Sequence, residues 1–383
     1  MAVEKAKEQN FIGTNNGDPP SPSTSSSKSR RRSIYSDFER HASIEHLTPY
    51  LHSLLFFNLG YGTCRISQLD FIAKCCKVLR VLDLEGLEIE CLPSIIGELI
   101  HLRYLGLRHI GLKMLQPSID NLRSLQTLEI SNLKQVPNVI WKMKYMRYLY
   151  IEGKEEDVPL QIDTLQNLQI LSGITFNQWI KNNSGNLTCL GKLKLEGRCE
   201  VEGVEFSNSI AKLLSLKSLY LTTSGESSIP PLAINSCLHL SKLDIKGYMQ
   251  KFPKIHEFSQ SLTQLTLEAS RLDRDPMVVL EKLPKLLTLR LRAKSYLGKE
   301  MHVFANGFPQ LKVLQLFELR ELNKLNIEKG SMPWLMQLQL YFETKFSGLD
   351  ELQNLVEVKI AVSLLKTLFW HEMARIRLWD RTW

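Results

Sequence analysis

The sequence predicts an α/β solenoid with a concave, all-parallel β-sheet of about 14 strands. Three observations carry this expectation. A six-residue phrase, L-x-x-L-x-L with occasional Ile, Met, Val or Phe in place of Leu, recurs along the chain. The spacing between copies stays within a narrow window. Proline followed by aliphatic residues recurs between the early copies.

The phrase begins at Leu51, Leu79, Leu102, Leu125, Met146, Leu168, Leu190, Leu216, Leu240, Leu262, Leu286, Leu311, Leu335 and Leu355. The intervals run 28, 23, 23, 21, 22, 22, 26, 24, 22, 24, 25, 24 and 20 residues. All lie inside the roughly 20–29-residue period of leucine-rich repeats. The closing L-x-L of each copy puts two apolar side chains on one face of a short strand and the intervening residue on the other. One repeat is too small to bury its own leucines. Stacking buries them between neighbours, so stability is close to a sum over repeats and interfaces. Each buried Leu contributes about 1.5–3 kcal/mol gross, most of it offset by ordering entropy. The expected fold is therefore a leucine-rich-repeat solenoid, shaped as a horseshoe. Its sheet is a surface for a macromolecule, not a pocket for a metabolite.

The return segments follow a second pattern. Leu92-Pro93-Ser94-Ile95-Ile96, Gln116-Pro117-Ser118-Ile119, Val136-Pro137-Asn138-Val139-Ile140 and Val158-Pro159-Leu160-Gln161-Ile162 each lead into a copy of the phrase. Proline cannot donate to a sheet ladder and belongs on the outer arc. The aliphatic residues after it are expected to pack inward as a short helical or 3₁₀ turn.

The two ends read differently. Residues 13–33 are rich in Ser, Pro, Gly and Asn, with no apolar period, and are expected to be a disordered linker. Residues 34–360 form the expected repeat domain. In residues 361–383, Ala361, Leu365, Leu368, Phe369, Met373, Ile376 and Trp379 fall at helical spacing, which predicts a helical cap over the last strand.

Composition narrows the function classes. The net charge is +8 over 383 residues. This is too dilute for the dense basic stripe of a nucleic-acid binder, so no nucleic-acid partner is expected. Seven cysteines without a CxxC pair fit a reducing compartment. No secretory h-region and no long apolar run occur, so neither a signal peptide nor a transmembrane segment is expected. These observations point to the cytoplasm, with peripheral membrane or nuclear residence also compatible. The nine histidines show no metal-like spacing and no nucleophile motif is present, so no catalytic site, metal or cofactor is expected.

Several stretches go beyond a generic repeat. They are Arg31-Arg32-Ser33-Ile34 followed by Leu51-His52-Ser53-Leu54-Leu55-Phe56-Phe57, Leu79-Arg80-Val81-Leu82-Asp83-Leu84-Glu85-Gly86 with Leu92-Pro93, Asp275-Pro276-Met277 with Leu280-Glu281-Lys282-Leu283-Pro284, and Phe308-Pro309-Gln310-Leu311 with Glu328-Lys329-Gly330-Ser331-Met332-Pro333. In this phrasing the chain resembles the repeat domain of plant coiled-coil-type nucleotide-binding leucine-rich-repeat disease-resistance proteins, most of all the late-blight and downy-mildew resistance group. Residues 1–12, with Ala2–Phe11, look like that family's last winged-helix segment. No GxxxxGK[ST] occurs, so the family's nucleotide switching does not carry over to this chain. The resemblance implies a protein-interaction module of plant innate immunity that senses effectors or autoinhibits a nucleotide-binding receptor. The implied partner is a pathogen effector or the nucleotide-binding module of a related receptor, met in trans. Two alternatives stay open: a Ras-type leucine-rich-repeat signalling scaffold, whose steady 23-residue period this chain keeps for only two intervals, and a non-functional receptor fragment.

The candidate binding face is the row of outward strand positions. It is expected to carry Arg80, Arg103, Tyr104, Arg108, Arg147, Tyr148, Tyr150, Lys192, Lys194, Lys217, Tyr220, Lys242 and Lys246. Arg and Tyr are enriched at binding hot spots, and a basic, aromatic arc would suit an acidic partner. The Leu51 strand, with Leu55 and Phe57 facing out, is expected to be an open edge that invites association unless residues 34–50 cover it.

Overall fold

The computed structural model describes residues 13–15, 30–34, 49–56, 62–63, 65–89, 91–112, 114–131, 139–152, 161–182, 186–225, 227–341, 345–349 and 352–360. The chain forms two compact units. The first holds Met1–Ile174 and Lys181–Leu190, and the second holds Thr175–Ile180 and Gly191–Trp383.

In the first unit, strands Gly13–Asn15, Arg31–Ile34, Ser53–Phe56, Val81–Asp83, Tyr104–Leu107, Thr127–Ser131, Tyr148–Glu152 and Ile170–Ile174 pair in sequence order, all parallel. The last six of these start two residues after the first apolar residue of their phrase. Their central leucines stack in register, Leu54 beside Leu82, Leu105, Leu128, Leu149 and Leu171, each fully buried. The alternation predicted from L-x-L is thus the core of the unit.

The expected return turns are present where the chain is described. Ser94–Glu98, Pro117–Asn121 and Ile140–Lys142 are 3₁₀ helices that bury Ile96, Ile119 and Ile140. The first two pack closely: a Cβ on Gly97 would lie 2.3 Å from the Ser118 carbonyl oxygen. Glycine there lets consecutive turns touch backbone to backbone. A longer helix, Ile66–Cys75, fills the 28-residue interval before the Leu79 phrase. The proline turns at Pro137 and Pro159 lie outside the described residues.

The second unit holds the other eight expected strands: Lys192–Gly197, Ser218–Thr223, Lys242–Lys246, Gln264–Glu268, Thr288–Leu291, Val313–Phe317, Gln337–Tyr341 and Glu357–Ile360. They too pair in order and in parallel. The fold class expected from the period, a leucine-rich-repeat solenoid built on parallel strands, is the one observed. Helices Phe176–Lys181 and Gly203–Ala211 bury Trp179, Phe176 and Phe206. On the return side a second parallel sheet joins Glu300–Val303, Lys324–Ile327 and Lys345–Ser347.

The strand exit after Lys242–Lys246 is tight. Gly247, at φ +144°, closes the turn after Lys242–Lys246, and its N–H donates to the Glu268 carbonyl at 2.9 Å. A Cβ there would sit 1.9 Å from Thr223 Oγ1.

Two expectations for the N-terminal part need correction. Residues 13–33 were expected to lack structure, yet Gly13–Asn15 and Arg31–Ile34 are strands. The reason is register: Arg31–Ile34 matches Ser53–Phe56 residue for residue, satisfies its ladder and brings buried Ile34 beside Phe56. For the same reason the Leu51 strand is not the open edge expected, and the association predicted from it loses its basis. Residues 1–12 and the expected cap over 361–383 lie outside the described residues.

Candidate functional site

On a repeat scaffold the variable chemistry sits between the core leucines. In the first unit the register aligns three outward rows. Ser53, Val81, Tyr104, Thr127, Tyr148 and Ile170 form the row that opens each strand. Leu55, Asp83, Gly106, Glu129, Tyr150 and Ser172 form the next. Glu85, Arg108, Ser131 and Glu152 stand at or just past the strand ends.

These rows correct the expectation of a basic arc. Arg108 is the one candidate cation on them, and it is already engaged: its Nη2 lies 2.8 Å from Glu85 Oε2 and its Nε 2.9 Å from Glu129 Oε2. Burial works against its charge, but Glu129 and Glu85 more than offset it and raise its pKa. Asp83 and Glu152 stand on the same outward rows, so this face carries four carboxylates and one arginine. Burial pushes both the Asp83 and the Glu129 carboxyls up from their ordinary values, and Glu85 adds to the rise. The Tyr104 hydroxyl lies 3.5 Å from Asp83 Oδ2, and burial with the nearby carboxylates raises its pKa too. Tyr148 reaches Gln169 Oε1 at 3.0 Å, while Tyr150 is half-buried. The strand face of the first unit is therefore acidic and tyrosine-lined.

Arg80, Arg103 and Arg147 do not lie on that face. Each stands one residue ahead of its strand, out of phase with the outward rows, and each is exposed. They belong to a separate rim. His52 N donates to the Arg30 carbonyl at 2.7 Å, and the same bond, at 2.8 Å, runs from Arg80 to His52, Arg103 to Arg80, Gln126 to Arg103, Arg147 to Gln126 and Gln169 to Arg147. The file holds four arginines and no acid. Arg30, Arg80, Arg103 and Arg147 have no ion pair among the described residues. Burial, and then the charges of Arg80, Arg30 and Arg31, depress the His52 pKa.

In the second unit Lys192, Lys194, Tyr220, Lys242 and Lys246 are all at outward strand positions, and only Lys217 precedes its strand. The register puts Tyr220 between the flanking strands. Lys192 Nζ is 5.1 Å and Lys242 Nζ 5.2 Å from its ring centroid, so one aromatic ring holds two ammonium groups. Lys194 and Lys246 are paired, with Glu196 at 2.8 Å and Glu268 at 2.7 Å.

Further along this unit lie residues the sequence reasoning missed. Arg290 Nε donates to Gln315 Oε1 at 2.7 Å, and Gln315 Nε2 donates to Gln339 Oε1 at 2.9 Å. Beside this chain is a depression of about 420 Å³, lined by Glu268, Arg292, Ala293, Gln315, Phe317, Glu318 and Gln339. The signal was available, since Arg290, Gln315 and Gln339 share the position of Tyr220 in their repeats, but glutamines carry no charge pattern that singles them out. Among the described residues, no group of three or more His, Cys, Asp or Glu side chains is placed to hold a metal ion. No helix among them is long and apolar enough to cross a membrane.

The chain is similar to known proteins over most of its length. A family profile described as a leucine-rich repeat region matches residues 59–374. The disease resistance protein RPP8 of Arabidopsis thaliana is 33% identical over 383 residues, covering 94% of this chain and 41% of that protein. The probable disease resistance protein RF9 of Arabidopsis thaliana is 32% identical over 359 residues, covering 89% of this chain and 34% of that protein. The chain thus spans between 34% and 41% of the length of these relatives. Among solved structures, a leucine-rich-repeat protein of Leptospira interrogans superposes with a TM-score of 0.54 at 19% identity, covering 82% of this chain and 86% of that one. That likeness concerns the fold alone.

Proposed function

Because the chain belongs to the leucine-rich-repeat region family, with plant disease resistance proteins as its relatives, we propose that it is a protein-interaction module of plant innate immunity. Its partner is a protein: a pathogen effector, or the nucleotide-binding part of a related receptor met in trans. One observation carries the reading. The buried leucines hold the solenoid, and the residues between them present charged and tyrosine side chains in register along the strands. Such rows give a partner several strands to contact at once, with Tyr and Arg as anchors. The module does its work by binding, and no catalytic step is assigned to it. Residence in the cytoplasm belongs to the same proposal, and seven cysteines without a CxxC pair fit a reducing compartment.

The test is co-expression in leaf tissue of the tagged chain with the part of RPP8 outside the matched region. Co-precipitation, together with a changed cell-death response to effectors, is the expected result. Absence of both, across a panel of such relatives and effectors, would overturn the reading.

A further inference from the structure

We propose that the first unit docks a single α-helix of a protein partner, acidic along one flank and basic along the other, laid across the strands. This deepens the protein-binding reading above and rests on it. The observation behind it is two bands of opposite sign running side by side. The rim carries Arg30, Arg80, Arg103 and Arg147 in one hydrogen-bonded file, exposed and without ion pairs among the described residues. On the strand face stand four carboxylates, Asp83, Glu85, Glu129 and Glu152, and one arginine, Arg108, which pairs with Glu85 and Glu129.

The dimensions match one helix. From the rim to the Asp83 and Glu129 row is three residues, or about 10 Å at roughly 3.3 Å per residue. An α-helix with its side chains is about 10–12 Å across. Between the bands lie Val81, Tyr104, Thr127 and Tyr148, all half-buried, a strip suited to the helix's apolar ridge. Along the stacking direction, Arg30 to Arg147 crosses the six strands from Arg31–Ile34 to Tyr148–Glu152. At about 4.8 Å per interval that is roughly 24 Å, the length of about 16 helical residues.

The second band decides the class of partner. A nucleic acid or an anionic bilayer would satisfy the rim arginines, but it would meet like charge some 10 Å away, about one Debye length at 0.1 M salt. A protein helix can offer both signs. Opposed bands also fix its position, because sliding sideways by one band sets like charges against each other.

The test uses fluorescence anisotropy with the full chain and stapled 16-residue helices. One probe carries Glu on one flank and Lys on the other; two more carry Glu only or Lys only. A single-stranded DNA oligonucleotide is the fourth probe. The two-signed helix is expected to bind about tenfold more tightly than either single-sign helix at about 0.15 M salt. Arg103→Glu with Arg147→Glu in one variant, and Glu152→Lys in another, should each shrink that preference at least several-fold. All three residues are exposed, and thermal melts confirm folding; if a reversal unfolds the chain, Arg103→Gln with Arg147→Gln replaces it. Equal or tighter binding of the all-Glu helix or the DNA would make the rim a general polyanion site and overturn the proposal. So would failure of the two-signed helix to bind. Either failure leaves the leaf co-precipitation result standing, so the two readings are separable.

Discussion

Trp179 donates through Nε1 to Ser209 Oγ at 2.8 Å, and Ser209 in turn donates to the Phe206 carbonyl at 2.6 Å. The indole is fully buried and belongs to the helix Phe176–Lys181, while its partner stands on Gly203–Ala211. The bond thus ties together two irregular insertions of the second unit. Ser209→Ala leaves a buried N–H without its acceptor and should lower stability by about 1–3 kcal/mol. Trp179→Phe removes the donor as well and should cost less than Trp179→Ala, for which about 3–5 kcal/mol is expected. Urea denaturation of the three variants provides the measurement. Equal midpoints for Ser209→Ala and the native chain would refute the assignment.

Gly247→Ala should also destabilise, for a backbone reason. The residue sits at φ +144°, a region L side chains rarely adopt, and its new methyl group would meet Thr223 Oγ1. A loss of about 1–3 kcal/mol is expected. Combining it with Thr223→Ala should recover only part, since the clash goes and the strained backbone remains. Full recovery in the double variant would show that sterics alone hold the glycine.

Leu265→Ala probes how far a core defect spreads. Leu265 is fully buried between Leu243 and Leu289 on the neighbouring strands. The cost should be about 2–5 kcal/mol. Because repeats contact chiefly their neighbours, hydrogen exchange should quicken most in strands Lys242–Lys246, Gln264–Glu268 and Thr288–Leu291. Uniform acceleration across the second unit would contradict nearest-neighbour stability.

The cysteines should react in a set order. Cys189 is exposed, whereas Cys76 and Cys237 are buried. Burial pushes the Cys76 thiol up to about 12, with Cys75 adding to the rise, and the Cys237 thiol up to about 11. Thiolate is the reactive form. Iodoacetamide at neutral pH should therefore label Cys189 well before either buried thiol, and mass spectrometry of tryptic peptides reads the order. Early labelling of Cys76 in the folded chain would be incompatible with its packing.

Asp275 should make stability depend on pH in an unusual direction for a carboxylate. Burial raises its pKa, outweighing the hydrogen bonds it accepts from Met277 N at 2.9 Å and His302 N at 2.7 Å. A raised folded pKa means the native state holds the proton more tightly than the unfolded chain. Its stabilising contribution is complete below the ordinary value of 3.8 and is lost as pH rises through the raised one. Relative to Asp275→Asn, the native chain should thus gain stability as pH falls from 7 to 4. A constant difference in unfolding free energy over that range would remove Asp275 from the account.

The repeat strands were legible because the leucine period is both the folding signal and the core. The places of Leu54, Leu82 and Leu105 within their phrases are enough to locate their strands. Arg31–Ile34 was not legible as a strand, because Arg31-Arg32-Ser33 reads as solvated and only pairing with Ser53–Phe56 makes it a ladder. Gly13–Asn15 has no apolar residue at all. The candidate face was legible in part. Tyr104, Tyr148, Tyr150, Tyr220 and the outward lysines stand where alternation puts them. Arg80, Arg103, Arg147 and Lys217 do not, because the strands begin one residue later than the phrase suggests to the eye. The acidic face was missed for a different reason: the acids of the Val81–Asp83 repeat, Asp83 and Glu85, lie far in sequence from Glu129 and Glu152, and only the strand register gathers them on one face.

Alternation along each strand has a last consequence, for divergence. Tyr220 and Gln315 can change without touching Leu219 and Leu314, because adjacent residues answer to different demands. The scaffold can accumulate substitutions on its outward rows at nearly constant stability. What one copy of such a gene recognises can drift away from what its duplicate recognises while both continue to fold.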